Sequence, residues 1–415
     1  MATFRPFPAV RPVKELVSEV AALPYDVMSS EEARKMAKDN PYSFLHVDKA
    51  EIDLDPSVDL YDPCVYEKAA SNLKRMIEDG VYLKEEKPCF YIYRQIMDGR
   101  SQTGIVGCAS IDDYRNNVIK KHELTRADKE EDRVHHVDVC DANTGPIFLT
   151  YRNKSAITDI TKKWIRFHEA LYDFTTDDGI RHTVWRMDDE TINEELKALF
   201  ERIPAFYIAD GHHRAASAVR VGEKRRKENP DYTGEEEFNY FLSVLFPDEE
   251  LSIWDYNRVL KEWNGHTPET LLAELSNCFD VRKWEKGMCK PKERHTFGLY
   301  MDKQWYLLKA KEGTFDSEHP VDRLDVSILQ KQVLTPVFGI EDPRTDDRIL
   351  FIGGIRGLEE LVRLVDEEGM SAAFAMYPTG IDDLMEIADG GSIMPPKSTW
   401  FEPKLRSGIF IHQLK

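Results

Sequence analysis

The stretch Ile208-Ala-Asp-Gly-His-His-Arg214 gathers a carboxylate, a glycine, two imidazoles and a guanidinium within a few residues. The apolar run Ala205-Phe-Tyr-Ile-Ala209 before it reads as a buried strand, and Arg214 to Arg226 after it reads as a helix. A turn between such elements directs its backbone N–H groups and the positive end of the helix dipole at one point, which favours an anion. Gly211 permits the close turn, Arg214 offers a planar fork of donors for phosphate oxygens, and His212 and His213 can donate hydrogen bonds or shuttle protons. Asp210, at the strand's end, suits a general base or a metal ligand. The competing reading makes Asp210 a helix cap with surface histidines beside it, because Asp-Gly turns are common. Two histidines and an arginine directly after the glycine weigh against it.

Other groups could serve the same chemistry. His122 and Glu123, with Thr125, Arg126, Lys129, Asp132 and Arg133, pack acid, base and cations into a short stretch after the strand end expected at Ile119. Glu123 could activate a hydroxyl nucleophile there; a solvated, charge-rich helix is the alternative. In Met394-Pro-Pro-Lys-Ser-Thr-Trp-Phe-Glu-Pro-Lys404 two prolines fix the backbone while Lys397, Ser398, Thr399 and Lys404 supply donors for phosphate. The same segment could instead be a tail that packs Trp400 and Phe401 into a core. Pro24-Tyr-Asp-Val27, Asn40-Pro-Tyr-Ser-Phe-Leu-His46 and Asp255-Tyr-Asn-Arg258 mix turn residues with polar groups. They offer Asp26, His46, Asn257 and Arg258, together with Lys404, as substrate contacts, against turn chemistry or core packing.

What is missing narrows the chemistry. The sequence has no Gly-x-x-x-x-Gly-Lys-Ser/Thr loop, no Gly-x-Gly-x-x-Gly fingerprint and no kinase-type catalytic-loop set, which disfavours the standard nucleotide folds. His135-His136 with Asp138 lacks the His-Glu-x-x-His spacing of a zinc hydrolase. Cys64, Cys89, Cys108, Cys140, Cys278 and Cys289 are scattered without a Cys-x-x-Cys pair, and read as reduced thiols.

The positioning elements follow from periodicity. Strand-like runs at Cys89–Arg94 and Thr103–Ala109 flank turn residues, and Val65 to Gly80 carries Val65, Ala69, Leu73, Met76 and Ile77 at helical spacing, with Gly80 as its terminator. Further on come a helix at Glu190–Arg202, a strand at Asn239–Phe246, and a run at Leu251–Trp263 read as a further strand before more helix, continuing one sheet. The hydrophilic stretch Lys224–Glu237 reads as a mobile surface crossing. The last part shows a helix at Pro268–Phe279, strands at His295–Met301 and Gln304–Leu308, and a helix at Asp325–Val337. The fold class is therefore α/β in the broad sense, with α+β character. Three domains are expected: an N-terminal α+β domain at 1–150, a core with the Asp-Gly-His-His-Arg motif at 151–265, and a C-terminal α/β domain at 266–415 that closes on the site.

The 415 residues exceed what one hydrophobic core usually holds. With 56 Lys and Arg against 75 Asp and Glu, the net charge of −19 repels nucleic acid, so an anionic substrate needs a local basic pocket. No apolar run approaches membrane-spanning length, and residues 1–10 lack the layout of a signal peptide, so a cytoplasmic protein without membrane or nucleic-acid partners is expected.

Leu23-Pro-Tyr-Asp-Val27, Asn40-Pro-Tyr-Ser-Phe-Leu-His-Val47, Lys121-His-Glu-Leu-Thr125, Ala209-Asp-Gly-His-His-Arg214 and Met394-Pro-Pro-Lys-Ser-Thr399 together resemble domain-of-unknown-function family 1015 of bacteria and archaea, over nearly the whole chain. The Asp-Gly-His-His-Arg core also resembles the phosphate-binding motif of the ParB and sulfiredoxin superfamily, whose members include free serine kinases. The resemblance implies a ParB/sulfiredoxin-like core embedded in a larger mixed-sheet protein. It also implies phosphate binding by Gly211, His212, His213 and Arg214, Asp210 beside the transferred group, and Glu123 as catalytic base. The expected activity is a small-molecule kinase making O-phosphoserine from L-serine, with Mg²⁺ and with ATP, ADP or pyrophosphate as donor. A non-catalytic nucleotide- or phosphate-binding regulator and a phosphate-ester hydrolase are the alternatives. Donor, acceptor, metal ligands and oligomeric state stay open at this level, as does the choice between Asp210 and Glu123 as base.

Overall fold

The structure is a computed structural model and describes residues 2–415. Contacts divide the chain into two units. The first comprises the residues up to Lys121, Thr125–Leu251 and Pro403–Lys415; the second comprises His122–Leu124 and Ser252–Glu402. Both are mixed α/β, as the alternation of helical and strand-like patterns requires.

The first unit is built on a nine-stranded mixed sheet. Its strands are β1 (Phe4–Arg5), β2 (Phe90–Met97), β3 (Arg100–Ser110), β4 (Ile119–Lys120), β5 (Ile147–Tyr151), β6 (Tyr172–Thr175), β7 (Arg181–Met187), β8 (Phe206–Asp210) and β9 (Tyr240–Pro247). They lie in the order β4-β8-β5-β9-β3-β2-β7-β6, with β1 pairing on β3. Neighbours are antiparallel except β8 with β4 and β9 with β5. The alternation of strand side chains sends Phe90, Ile92, Phe206 and Ile208 to one face. There they join Trp164, Leu196, Phe200, Ala215, Ala218 and Val219 from helices in one core.

The helix after β8 is long because its sequence allows close packing on both sides. Ala215, Ala216, Ser217, Ala218 and Val219 are buried along it. Gly222 lies so near its surroundings that a Cβ there would stand 2.5 Å from the Phe238 carbonyl and 2.7 Å from Ile111 Cδ1. We label this helix α2 (His212–Glu228) and the helix it packs on α1 (Ala127–Cys140). Ion pairs link the two: Arg220 with Glu130 and Glu131, and Lys224 and Arg225 with Asp138.

The second unit has a six-stranded sheet of β10 (Tyr256–Leu260), β11 (Phe279–Trp284), β12 (Thr296–Met301), β13 (Gln304–Ala310), β14 (Ile349–Gly353) and β15 (Ala372–Ala375). The order is β11-β13-β12-β15-β10-β14, antiparallel throughout.

Two elements differ from the sequence expectation. The Leu251–Trp263 run does not continue the first sheet or turn helical: β10 is a buried strand of the second sheet, and an apolar run of that length cannot be assigned by periodicity alone. Lys224–Glu228, read as part of a mobile crossing, forms the last turn of α2, because Asp138 on α1 neutralises its cations.

Gly222→Ala is expected to lower the stability of the first unit by about 1–3 kcal/mol, since the Phe238 carbonyl is backbone and cannot swing aside. A urea melt with unchanged slope and a lower midpoint would show it; an unchanged midpoint would mean that α2 is free to shift.

Candidate functional site

The turn after β8 is shaped by two backbone devices. A β-bulge comes first: Ile208 is opposite Leu149 but Asp210 is opposite Phe148, so Ala209 is the extra residue and the Asp210 side chain is re-aimed at the strand's end. Gly211 then adopts the left-handed conformation at φ +93° and occupies the N-cap position of α2, where it has no side chain to cap the first turn. A Cβ at that point would also lie 3.2 Å from the Arg214 guanidinium carbon, so any larger residue would press the arginine back by a few tenths of an ångström.

Asp210 is held at both of its oxygens. Its Oδ1 accepts the Gly211 N–H at 2.8 Å, and its Oδ2 pairs with Lys404 Nζ at 3.0 Å. Burial works to raise the pKa of this carboxyl, but Lys404, then Arg214 and His212, outweigh it and hold Asp210 well below the usual carboxylate range. Asp210 is a fixed negative charge at any physiological pH.

Arg214 doubles back against Gly211. Its Nη1 donates to the Pro146 carbonyl at 2.5 Å, while Nε is buried without a hydrogen-bond partner. Burial disfavours its charge, but Asp26, Asp210, Tyr25 and Asp48 act on it and raise its pKa above the ordinary arginine value. A cavity of about 20 Å³ adjoins the arginine, lined by Tyr25, Asp48, Arg133, Thr144 and Ser217 among others; that is room for one water. His212 is buried. His213 Nε2 accepts the N–H of Arg126 at 3.0 Å, which leaves the ring proton of the neutral form on Nδ1 and ties the turn to the start of α1.

The residues singled out in the sequence therefore fall into two groups. Within the first unit, Asp26, Asp210, Gly211, His212, Arg214 and Lys404 come together electrostatically, with His213 beside them. His46 does a local job instead: it pairs with Asp53 at 2.7 Å and touches the Asn40 carbonyl at 3.1 Å, closing its own loop. His136 contacts the Val47 carbonyl and His135 pairs with Glu131, so these histidines are structural. Within the second unit, the His122 carbonyl accepts the Met394 N–H at 2.8 Å, and Glu123 bears electrostatically on Arg344. The Pro395–Thr399 loop closes on itself: Ser398 Oγ donates to Pro395 O at 2.5 Å, Thr379 Oγ1 donates to Ser398 O at 2.8 Å, and Lys397 sits at φ +59°. Arg258 Nη2 donates to the Lys397 carbonyl at 2.9 Å, and Asn257 donates to Asp255 while accepting the Met376 N–H.

Sequence reasoning gave no weight to three contributors. Asp48, which accepts from Thr144 Oγ1 at 2.7 Å, acts on Arg214 only because the fold folds the N-terminal helices over it. Gln95 donates to the Lys404 carbonyl at 2.7 Å, and Gln102 donates to Gln95, so buried amides on β2 and β3 position the lysine's backbone. No local pattern marks these residues. A glutamine inside an apolar strand is the one available signal, since buried polar groups are paired.

Gly211→Ala is expected to cost about 1–2 kcal/mol from the left-handed backbone alone, read as a lower urea midpoint. The Asp210 pKa gives a second outcome. Because it is depressed, the ion pair's contribution to stability is complete above the ordinary aspartate value of about 3.9 and is lost only as pH falls below it. Carboxyl ¹³C NMR should find Asp210 ionised where other aspartates titrate, and Lys404→Met should move its titration upward; an Asp210 signal titrating normally in the wild type would refute the clamp.

Residues 4–327 match the family described as protein of unknown function (DUF1015). No curated protein matches the chain. Among solved structures, a free serine kinase in complex with AMP is similar at 12% identity, covering 74% of this chain and 91% of the other, with a TM-score of 0.39. SbnI with C-terminal truncation from Staphylococcus aureus is similar at 10% identity, covering 73% and 85%, with a TM-score of 0.39. A conserved hypothetical protein from Pyrococcus furiosus shows 14% identity, 74% and 94% coverage and a TM-score of 0.36. Among the described residues no helix is long and apolar enough to cross a membrane. With the match running across most of its length and through the Asp210–Arg214 turn, the chain belongs to the DUF1015 family.

Proposed function

We propose that the chain is a small-molecule kinase that transfers a phosphoryl group to free L-serine at the Asp210–Arg214 turn. The observation that carries the reading is the turn itself. A carboxylate ends a strand, a left-handed glycine opens a 17-residue helix, and Lys404 and Arg214 concentrate positive charge beside the first helical amides. Inside an acidic chain this is a local anion site of the kind that phosphate needs. Phosphoryl transfer asks mainly for positioning and charge neutralisation, which these groups supply. L-Serine as acceptor rests on the resemblance of the motif to the serine kinases, and ATP, ADP or pyrophosphate serves as donor because the site reads phosphates.

The donor set fits Mg²⁺. Asp210 and Asp26 are hard carboxylate ligands, and each Asp210 oxygen keeps a lone pair beyond its bond to Lys404 or Gly211. These two residues would hold the ion, whose chemistry would be to offset the charge of the donor phosphates. Asp210 itself is too weak a base to take the serine hydroxyl proton, since an effective acceptor has a pKa near the working pH. On motif grounds we assign that role to Glu123.

A second reading, a phosphate-binding regulator without catalysis, is favoured by one feature: both Asp210 oxygens already have partners. Incubating the protein and Mg²⁺ with L-serine and each donor, followed by ³¹P NMR, separates the readings. The expected result is O-phosphoserine from at least one donor, with Glu123→Gln reducing the rate by about 10²–10⁴ while donor binding persists, and Asp210→Asn impairing donor binding. Free phosphate released without serine would indicate a hydrolase. Donor binding with no transfer in any arm would establish the regulator.

A further inference from the structure

The second unit contains a buried cation that its own fold does not neutralise. Arg258, on β10, is 3% exposed. Its Nη1 donates to the carbonyl of Tyr256 and its Nη2 to that of Lys397, and the rings of Phe351 and Tyr256 lie 5.2 and 5.9 Å from its guanidinium carbon. All of these partners are uncharged. Other arginines of the same unit are paired: Arg294 and Arg323 with Asp383, Arg348 with Asp346, and Arg363 with Glu360. Among the described residues no carboxylate forms an ion pair with Arg258. Desolvation brings its pKa down to about 10, with only Tyr256 acting the other way, so the group is still charged at neutral pH. Buried charges are as a rule paired, so an uncompensated one facing open space is a candidate receptor for an anion.

Arg258 faces such a space. A cavity of about 280 Å³, near the lower end for small-molecule sites, is lined by it together with Val326, Leu334, Phe351, Pro395 and Pro396. Three further lining residues, Glu341, Asp342 and Arg344, are more exposed and form the rim. Arg344 embraces Asp342 through two bonds, Nε to Oδ1 at 2.9 Å and Nη2 to Oδ2 at 2.7 Å, so the rim's excess charge is the negative Glu341. The cavity is therefore positive at its inner end and negative at its rim, with mostly apolar walls between that are interrupted by Gln330.

That pattern discriminates. A simple oxyanion would meet Arg258 but also the rim carboxylates, and a simple cation would meet the rim but also a buried guanidinium. A molecule carrying both charges satisfies both ends. We propose that this cavity binds a zwitterionic amino acid, with its carboxylate on the Arg258 fork, its ammonium toward Glu341 and Asp342, and its carbon skeleton against Phe351, Leu334 and the Pro395–Pro396 wall. The fork geometry of arginine suits a carboxylate, and the apolar walls give a bulky side chain more to bury than a small one. The site goes beyond the phosphoryl-transfer reading and does not rest on it: no residue of the Asp210–Arg214 turn lines the cavity, and Glu123 bears on it through its electrostatic action on Arg344 at the rim.

Saturation-transfer NMR on the full chain tests it with L-leucine, L-phenylalanine, glycine and 4-aminobutyrate at millimolar concentration. Isoamylamine and isocaproate serve as the singly charged counterparts of leucine. At least one zwitterion is expected to bind, and L-leucine to bind about tenfold or more tightly than either counterpart, the size of one charge-assisted hydrogen bond. Glu341→Gln with Asp342→Asn, at the cavity's rim, should weaken binding by a similar factor. Arg258→Met should abolish it, with near-ultraviolet circular dichroism reporting for both variants whether the unit still folds. Asp210→Asn should leave it unchanged, which separates this site from the proposed catalytic one. No binding by any of the four zwitterions, isocaproate binding as tightly as leucine, or binding indifferent to the rim substitutions would overturn the proposal.

Discussion

The ion pair between Lys404 and Asp210 is the constraint on which the site depends. The two residues are 194 apart in sequence, and their contact fixes the charge of the turn, the course of the final segment and the environment of Arg214. Lys404 is 8% exposed, so neither partner is fully solvated, and deleting one would strand a charge rather than merely lose a contact. The lysine reaches the turn because its own backbone is held: its carbonyl accepts from Gln95, and the chain beyond it exchanges hydrogen bonds with Ala22 at Ser407 and with Val10 at Ile411. A surface lysine would seldom sustain such a pairing, given the entropy of its four-carbon stem and the screening around it.

How far the site could be read in advance follows from what each residue's role depends on. The strand, glycine and helix around Asp210 were legible because they are local: an apolar run, a residue that tolerates positive φ and a helical pattern lie within a few positions of one another. The bulge at Ala209 was not, since it records which residue of the neighbouring strand pairs with Asp210. Arg214 stood out as a cation directly after the turn, whereas its packing against Gly211 and its bond to Pro146 depend on strand β5 lying alongside. Lys404 stood out as one of several donors in a proline-rich stretch, but nothing in that stretch names Asp210 as its partner. His46 shows the opposite error of inference: its type suggested substrate contact, while Asp53, seven residues on, was the partner all along.

The fold was legible to a similar depth. Helices with an apolar stripe and strands ended by turn residues lie close to their expected bounds, as with Glu190–Phe200 and Gln304–Ala310. Tyr256–Leu260 lies in a run that was read as strand but given to the first sheet, because its membership of the second depends on pairing with β14 and β15, which no local pattern records. Arg258 sits in that same strand. Its burial without a carboxylate is a property of the sheet's surroundings and has no signature in the residues beside it.

The order in which the first unit's segments occur along the chain has a consequence for synthesis. Residues 252–402 belong to the second unit, while Pro403–Lys415 return to the first. A chain emerging from the ribosome thus presents nearly all of the first sheet, then makes an entire second unit, before the segment carrying Lys404 exists. Through that interval Asp210 lacks its lysine, and the β2–β3 surface that Lys404 and Phe410 cover stays open to solvent. The second unit, almost contiguous in sequence, can complete its fold first. The Lys404–Asp210 pair of the first unit forms last, so a nascent chain completes the surroundings of the Asp210–Arg214 turn only after the residues of its other unit have been made.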